Sequence, residues 1–185
     1  MIVYNDIKRQ FVNDVKDNSI ADKILEAIKM RGLNAGHEKE YSSWQNSMQF
    51  MRNIVDDSDI DDEVRICIEY NIPLTSKRVD FIIAGADNYG KDNIVIVELK
   101  QWQKAEVVAD DMHYCVRTYV ANSDRIVCHP SYQAYSYSCF LRNYSQSLTD
   151  EDISLIPCAY LHNYQPEYRQ TLSNPIYKEW TGLAP

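Results

Sequence analysis

The sequence predicts an α/β fold, one mixed central sheet flanked by helices. Three observations carry that prediction. The first third of the chain repeats apolar residues at helical spacing. The middle switches to the alternation of strands, with turn residues between successive runs. The last third mixes both periods. A length of 185 residues fits one domain, or one domain with a tail. A hydrophobic fraction of 45% is enough for a packed core.

Residues 6–33 read as helix, because Ile7, Phe11, Val15, Ile20, Ile24, Leu25 and Ile28 recur at helical spacing before Gly32 and Gly36 break the pattern. A second helix is expected over 42–55, with Trp44, Met48, Met51 and Val55 sharing a face. The acidic stretch DDSDIDDE (56–63) reads as an exposed loop. Three strands follow: VRICIEYNIP (64–73), RVDFIIAG (78–85) and NIVIVELKQW (93–102). They read as a meander in which each strand runs antiparallel to the next. In the first of them Glu69 alternates away from the apolar face, which suggests solvent or a pairing with Arg65 or Lys77. Residues 105–121 read as helix, with Val108, Met112, Cys115, Val116 and Tyr119 as its inner stripe. A short strand over 125–129 ends at Pro130. An aromatic-rich helix over 131–144 and a last strand over 155–164 complete the pattern, and the signals from Gln165 to Pro185 are weak.

Composition narrows the function. No segment approaches the roughly 20 apolar residues of a membrane helix. The N-terminus MIVYNDIKRQF lacks the apolar stretch of a signal peptide. Cys67, Cys115, Cys128, Cys139 and Cys158 are odd in number and contain no CxxC pair, so zinc is not expected and buried, reduced thiols of a cytoplasmic protein are. A net charge of −8 argues against coating nucleic acid through bulk positive charge. It does not oppose a site built on a divalent cation, which needs carboxylates.

Such a site is visible in the meander. Asp80 lies early in one strand, and Glu98 and Lys100 lie late in the next. The start of one antiparallel strand faces the end of its neighbour, so Asp80 can sit beside Glu98. Positions 98 and 100 project from one face. Carboxylates offer Mg²⁺ the hard oxygens it binds, and a lysine beside them can orient a water and stabilise developing negative charge. A salt bridge at strand ends is the plainer explanation of the same residues.

RVDFII, a polar turn and VIVELKQW resemble the core of the PD-(D/E)xK nuclease superfamily, with Asp80, Glu98 and Lys100 in the motif positions and Val79 where proline is common. Gln133 and Tyr137, in HPSYQAYSY, resemble the QxxxY motif of RecB-like nucleases, and a spacing of four puts them on one helix face. Glu40 resembles the first-helix glutamate that often completes the metal site in these enzymes. SSWQNS, IEYNIPLTSKRVDFIIAG, VELKQW, HPSYQAYSY and PCAYLHNY together resemble the N-terminal region of bacterial helicase-like proteins. There a nuclease-like domain precedes an ATPase domain related to Schlafen and superfamily 1 helicases. The resemblance spans roughly 1–185 and implies a nuclease-like domain over 1–165. It also implies a tail or linker over 166–185 towards a helicase/ATPase domain, with Pro185 at a domain boundary; no GxxxxGK[ST] phosphate loop lies within this sequence.

The resemblance implies phosphodiester hydrolysis in nucleic acid, DNA in preference to RNA. Asp80, Glu98 and Glu40 would hold one or two Mg²⁺ or Mn²⁺, and Lys100 would position the attacking water. Gln133 and Tyr137 would support the site or touch the substrate backbone. Two other expectations stand beside it: a catalytically silent nuclease-like fold that binds nucleic acid, and a protein-interaction module, which the acidic charge would suit. Among the remaining candidates, His129 and His162 read foremost as imidazoles bonded to nearby backbone. Gln101 points away from Lys100, and Trp102 returns to the Lys100 face, where it can border a cleft or simply pack. Lys77 and Arg78 suit phosphate contact or plain surface equally, and the fourteen tyrosines read mainly as core and rim residues.

Overall fold

The computed structural model describes residues 2–32, 38–108 and 112–185. Gly36, expected to end the first helical region, lies outside them, as do residues 109–111. The chain is mixed α/β. Its strands are β1 (Ile2–Ile7), β2 (Arg65–Asn71), β3 (Arg78–Ala86), β4 (Asp92–Lys100), β5 (Glu106–Val107), β6 (Cys115–Val120), β7 (Ser123–Cys128) and β8 (Ser154–Leu161). Its helices are α1 (Lys8–Lys16), α2 (Ile20–Met30), α3 (Glu38–Val55), α4 (Pro130–Tyr144), α5 (Gln146–Asp150), α6 (Arg169–Leu172) and α7 (Lys178–Leu183). A five-stranded sheet has the order β1-β2-β3-β4-β8, and a three-stranded one has the order β5-β6-β7. Two compact units divide the chain, Met1–Ile94 and Val95–Pro185.

In the first unit, β1 pairs antiparallel with β2 and β2 antiparallel with β3. The single helix expected over 6–33 is instead a strand and two helices. Ile2–Ile7 forms an edge strand, and Asn18 takes a left-handed conformation (φ 54°) between α1 and α2. Buried Asp14 holds that corner. It accepts from the Tyr4 hydroxyl at 2.9 Å and pairs with Lys23 at 2.7 Å, and its backbone carbonyl accepts from Ser19 N–H. Helix α3 buries Trp44, Met48, Met51 and Val55, the stripe its sequence predicts. The core joins them to Phe11, Val15, Ile24, Ile66, Ile68 and Phe81, with Phe11 meeting Phe81 edge-on at 5.3 Å. The acidic loop is exposed but anchored. Buried Lys8 donates from Nζ to the carbonyls of Asp57 and Ile60 and pairs with Asp62 at 3.1 Å.

In the second unit, the helix expected over 105–121 is a correction: β5, β6 and β7 form an antiparallel sheet there. Ala121 and Asn122 close the β6–β7 hairpin with φ of 50° and 63°, the two positive angles of a type I′ turn. Val116 is fully buried in a core with Trp102, Ala105 and Tyr177. Tyr177 belongs to the stretch expected to be weakly structured. That stretch instead carries α6, α7 and two single 3-10 turns, and lends this core a fully buried tyrosine whose hydroxyl donates to the Cys115 carbonyl at 2.8 Å. All five cysteines are free, as expected, but only Cys67 and Cys115 are buried; Cys139 and Cys158 are half-buried and Cys128 is exposed. Among the described residues no helix is long and apolar enough to cross a membrane.

Candidate functional site

Helix α4 and the end of β4 build the site of the second unit. In the run IVIVELK, Ile96, Val97 and Glu98 are buried, and the strand begins to emerge at Leu99 and Lys100. Glu98 is thus a carboxylate at 1% exposure, a placement whose cost must be met by donors. Two side chains meet it on one oxygen. Lys100, two residues on and on the same face, forms an ion pair with Glu98 Oε1. Gln133, from α4, donates from Nε2 to the same Oε1 at 2.7 Å, and its amide also donates to the Tyr137 hydroxyl at 2.8 Å. One glutamine therefore ties the two residues of the QxxxY spacing to the acid of ExK.

Local sequence explains why α4 starts where it does. Pro130 occupies the first turn, where its missing N–H costs nothing, and the His129 ring accepts from Ser131 N–H at 3.2 Å. The other ring nitrogen of His129 lies 3.2 Å from the Leu172 carbonyl. Burial depresses the His129 pKa to about 4, so the ring stays neutral at physiological pH and pins α4 to α6. His162 faces Asn163 Oδ1 at 3.3 Å. Trp102 packs in the core, and Lys100 Nζ lies 5.5 Å from its ring centroid, within cation–π range.

The first unit holds the other expected residues around one that was not expected. Asp80 sits half-buried in β3. The pairs Ile68↔Phe81 and Tyr70↔Val79 flank it, so Glu69 stands opposite. Glu69 is neither solvated nor paired with Arg65 or Lys77. It is 5% exposed, accepts from Trp44 Nε1 of α3 at 2.6 Å, and forms an ion pair through Oε2 with Arg78 Nε. Arg78 in turn reaches Glu40 at 3.8 Å. Burial raises the Glu69 pKa to about 7; the Arg78 charge and the Trp44 N–H pull it down, and the charges of Asp80 and Glu40 push it further up. Glu69 also takes a left-handed backbone (φ 57°), rare for a non-glycine residue. Its trace in the sequence is an acid inside an apolar strand, ICIEY, one register step from an expected site residue.

Both clusters consist of carboxylates held by cations, and carboxylate oxygens suit Mg²⁺ or Mn²⁺ by donor type. Among the described residues, no three His, Cys, Asp or Glu side chains are grouped so as to hold a metal. Mg²⁺ needs no such group, since it is commonly bound by one or two carboxylates with waters and substrate phosphates.

No family model matches the chain, and neither the curated proteins nor the solved structures contain a significant match to it.

Proposed function

We propose that this chain is a PD-(D/E)xK-type nuclease domain that hydrolyses phosphodiester bonds, DNA in preference to RNA, with Mg²⁺ or Mn²⁺. The observation that carries the reading is the bond from Gln133 to Glu98. The two motifs lie more than thirty residues apart in sequence, and a single side chain joins them. A structural salt bridge between Lys100 and Glu98 gives no reason for a glutamine at 133, itself bonded to Tyr137, to reach the same acid.

In this reading Asp80, Glu98 and Glu40 would hold the metal, which would supply a Lewis acid to polarise the phosphate and acidify a water. The protein's own groups do the rest. Gln133 fixes the rotamer of Glu98, and Tyr137 fixes that of Gln133. Lys100, a compact ammonium at 17% side-chain exposure, is accessible enough to orient a water and to stabilise charge on a phosphate oxygen. The partner within a longer chain would be a helicase/ATPase domain, with 166–185 leading towards it.

The test is cleavage of single- and double-stranded DNA and RNA in Mg²⁺, in Mn²⁺ and in EDTA, with Asp80→Ala beside the wild type. Metal-dependent cleavage that Asp80→Ala abolishes is the expected result. Nucleic-acid binding without cleavage would replace the enzyme with a silent binding module, and absence of both would leave the interaction module. With a net charge of −8, binding should be weak and its salt dependence shallow.

A further inference from the structure

Outside the proposed site, the hairpin β6–β7 carries an unused pair of nucleophiles. Cys115 and Cys128 are direct partners across its antiparallel ladder. The turn fixes what kind of pair they are. Val120 and Ser123 close the two-residue loop as a hydrogen-bonded pair. The ladder then alternates, so Thr118/Arg125, Val116/Val127 and Tyr114/His129 are hydrogen-bonded positions, and His129 N–H indeed donates to the Tyr114 carbonyl at 2.7 Å. Cys115 and Cys128 therefore occupy a non-hydrogen-bonded position, where Cα atoms are about 4.5 Å apart and side chains approach most closely. That separation falls at the short end of the 4.4–6.8 Å range a disulfide spans. Both side chains share the face of Arg117 and Ile126, by the alternation of the two strands.

We propose that Cys115 and Cys128 are a reversible thiol-modification site, closing to an intramolecular disulfide by exchange with a small-molecule disulfide such as oxidised glutathione. The two thiols have different roles. Cys128 is exposed and meets the oxidant first. Its thiolate attacks one sulfur of the oxidant, forming a mixed disulfide and releasing one glutathione thiolate. Cys115, buried next to it, then attacks Cys128 Sγ and releases the second. The protein loses two protons and two electrons, and the oxidant leaves as two molecules of thiol. Burial and the neighbouring Cys128 sulfur push the Cys115 thiol up. This fits a resolving thiol, which reacts only when the mixed disulfide is presented to it.

The disulfide formed should be labile. Cβ atoms at such positions lie about 4.5–5.5 Å apart, whereas a relaxed disulfide prefers about 3.8 Å. The strands must pinch to close it, and strained bridges of this kind are the readily reduced ones. The pinch falls at the base of the hairpin, one residue before the His129 cap of α4.

The experiment incubates the native protein with oxidised glutathione, blocks free thiols, and maps peptides by mass without reduction. The expected outcome is a fall in free thiols from five to three, one peptide linking 115 to 128, and full reversal by reduced glutathione. Cys115→Ser should stop at a stable glutathione adduct on Cys128. Cys128→Ser should form neither adduct nor bridge on the same timescale. Independent adducts without a 115–128 link, or a link from either residue to Cys67, Cys139 or Cys158, would overturn the proposal. The wild-type peptide map decides the matter even where a serine variant folds poorly.

Discussion

Two buried carboxylates, one in each unit, are held in parallel ways and differ in one respect. Glu69 takes a neutral donor from a helix, Trp44 Nε1, and a cation from a strand, Arg78. Glu98 likewise takes a neutral donor from a helix, Gln133 Nε2, and a cation from a strand, Lys100. The donors of Glu69 are rigid: an indole with one N–H, and a guanidinium that stays charged and keeps its planar fork. Those of Glu98 are adjustable: an amide with two N–H groups, and an ammonium on a flexible stem. A carboxylate that must keep its place is served by the first set. One that must share its oxygens with a metal or a water is served by the second. Burial alone therefore does not distinguish the two acids; the mobility of their partners does.

The largest expected effect breaks the first cluster. Glu69→Ala removes a buried carboxylate and leaves the Trp44 indole N–H without that acceptor, while Arg78 keeps Glu40, a loss of up to about 3 kcal/mol. Glu98→Ala should cost less stability, because the Gln133 amide keeps Tyr137. Urea denaturation of both variants ranks them, and an equal or reversed order would remove the distinction between the clusters.

Next in size is catalysis. Lys100→Ala should lower cleavage roughly 100-fold, or about 2.7 kcal/mol, with the fold intact. Lys100→Arg should not restore it, because the larger fork cannot act as a point charge. Arg78→Lys, by contrast, should leave a measurable fraction of activity, since Arg78 pairs with Glu69 and Glu40 rather than with Glu98. Single-turnover rates on one substrate compare the three.

Smaller again is a pH effect confined to Glu69. Its folded pKa, raised to about 7, lies above the usual carboxylate range. Over that interval the folded protein holds a proton that the unfolded chain releases. The contribution is therefore fully present at the acidic end and is lost as the pH rises through about 7. Glu69→Gln cannot titrate, so its stability should vary less between about pH 5 and about pH 8. Melting curves of the two proteins across that range should converge at the acidic end and separate at the neutral one. Parallel curves would mean that Glu69 is ionised throughout.

The same contrast marks how much was legible in the sequence. The strands bearing Asp80, Glu98 and Lys100 follow from alternation and turn residues, and the α3 stripe follows from spacing. Gln133 and Tyr137 were legible as a pattern on a helix. The edge strand β1 was not, because Ile7 and Phe11 extend the helical spacing of α1 backwards over it. Val108, Met112, Cys115, Val116 and Tyr119 fit a helical stripe, yet Cys115–Val120 is a strand. A two-residue turn at Ala121 and Asn122, without glycine, gave no warning of the hairpin. Glu69 escaped for a third reason. Its left-handed backbone interrupts the pleat at that residue, and Trp44, which binds it, is 25 residues away in sequence. Period-two reasoning assumes an unbroken strand, and it fails where the strand is bent to bury a charge.

The smallest expected effect tests the adjustable cluster from its far end. Tyr137 accepts from the Gln133 amide. Tyr137→Phe keeps the ring that α4 buries and removes the hydroxyl that receives that bond. The cost to stability should be about 0.5–1.5 kcal/mol, the net worth of one hydrogen bond. If Gln133 merely fills space, activity should not change beyond this. If Gln133 orients Glu98, releasing its second N–H lets the amide rotate, and the affinity for Mn²⁺ should fall along with the rate. Gln133→Ala should then reproduce the loss in metal affinity and exceed it, because it removes the bond to Glu98 itself. A Tyr137→Phe variant with unchanged metal dependence, beside a Gln133→Ala variant that is impaired, would confine the coupling to Gln133 and leave Tyr137 a packing residue.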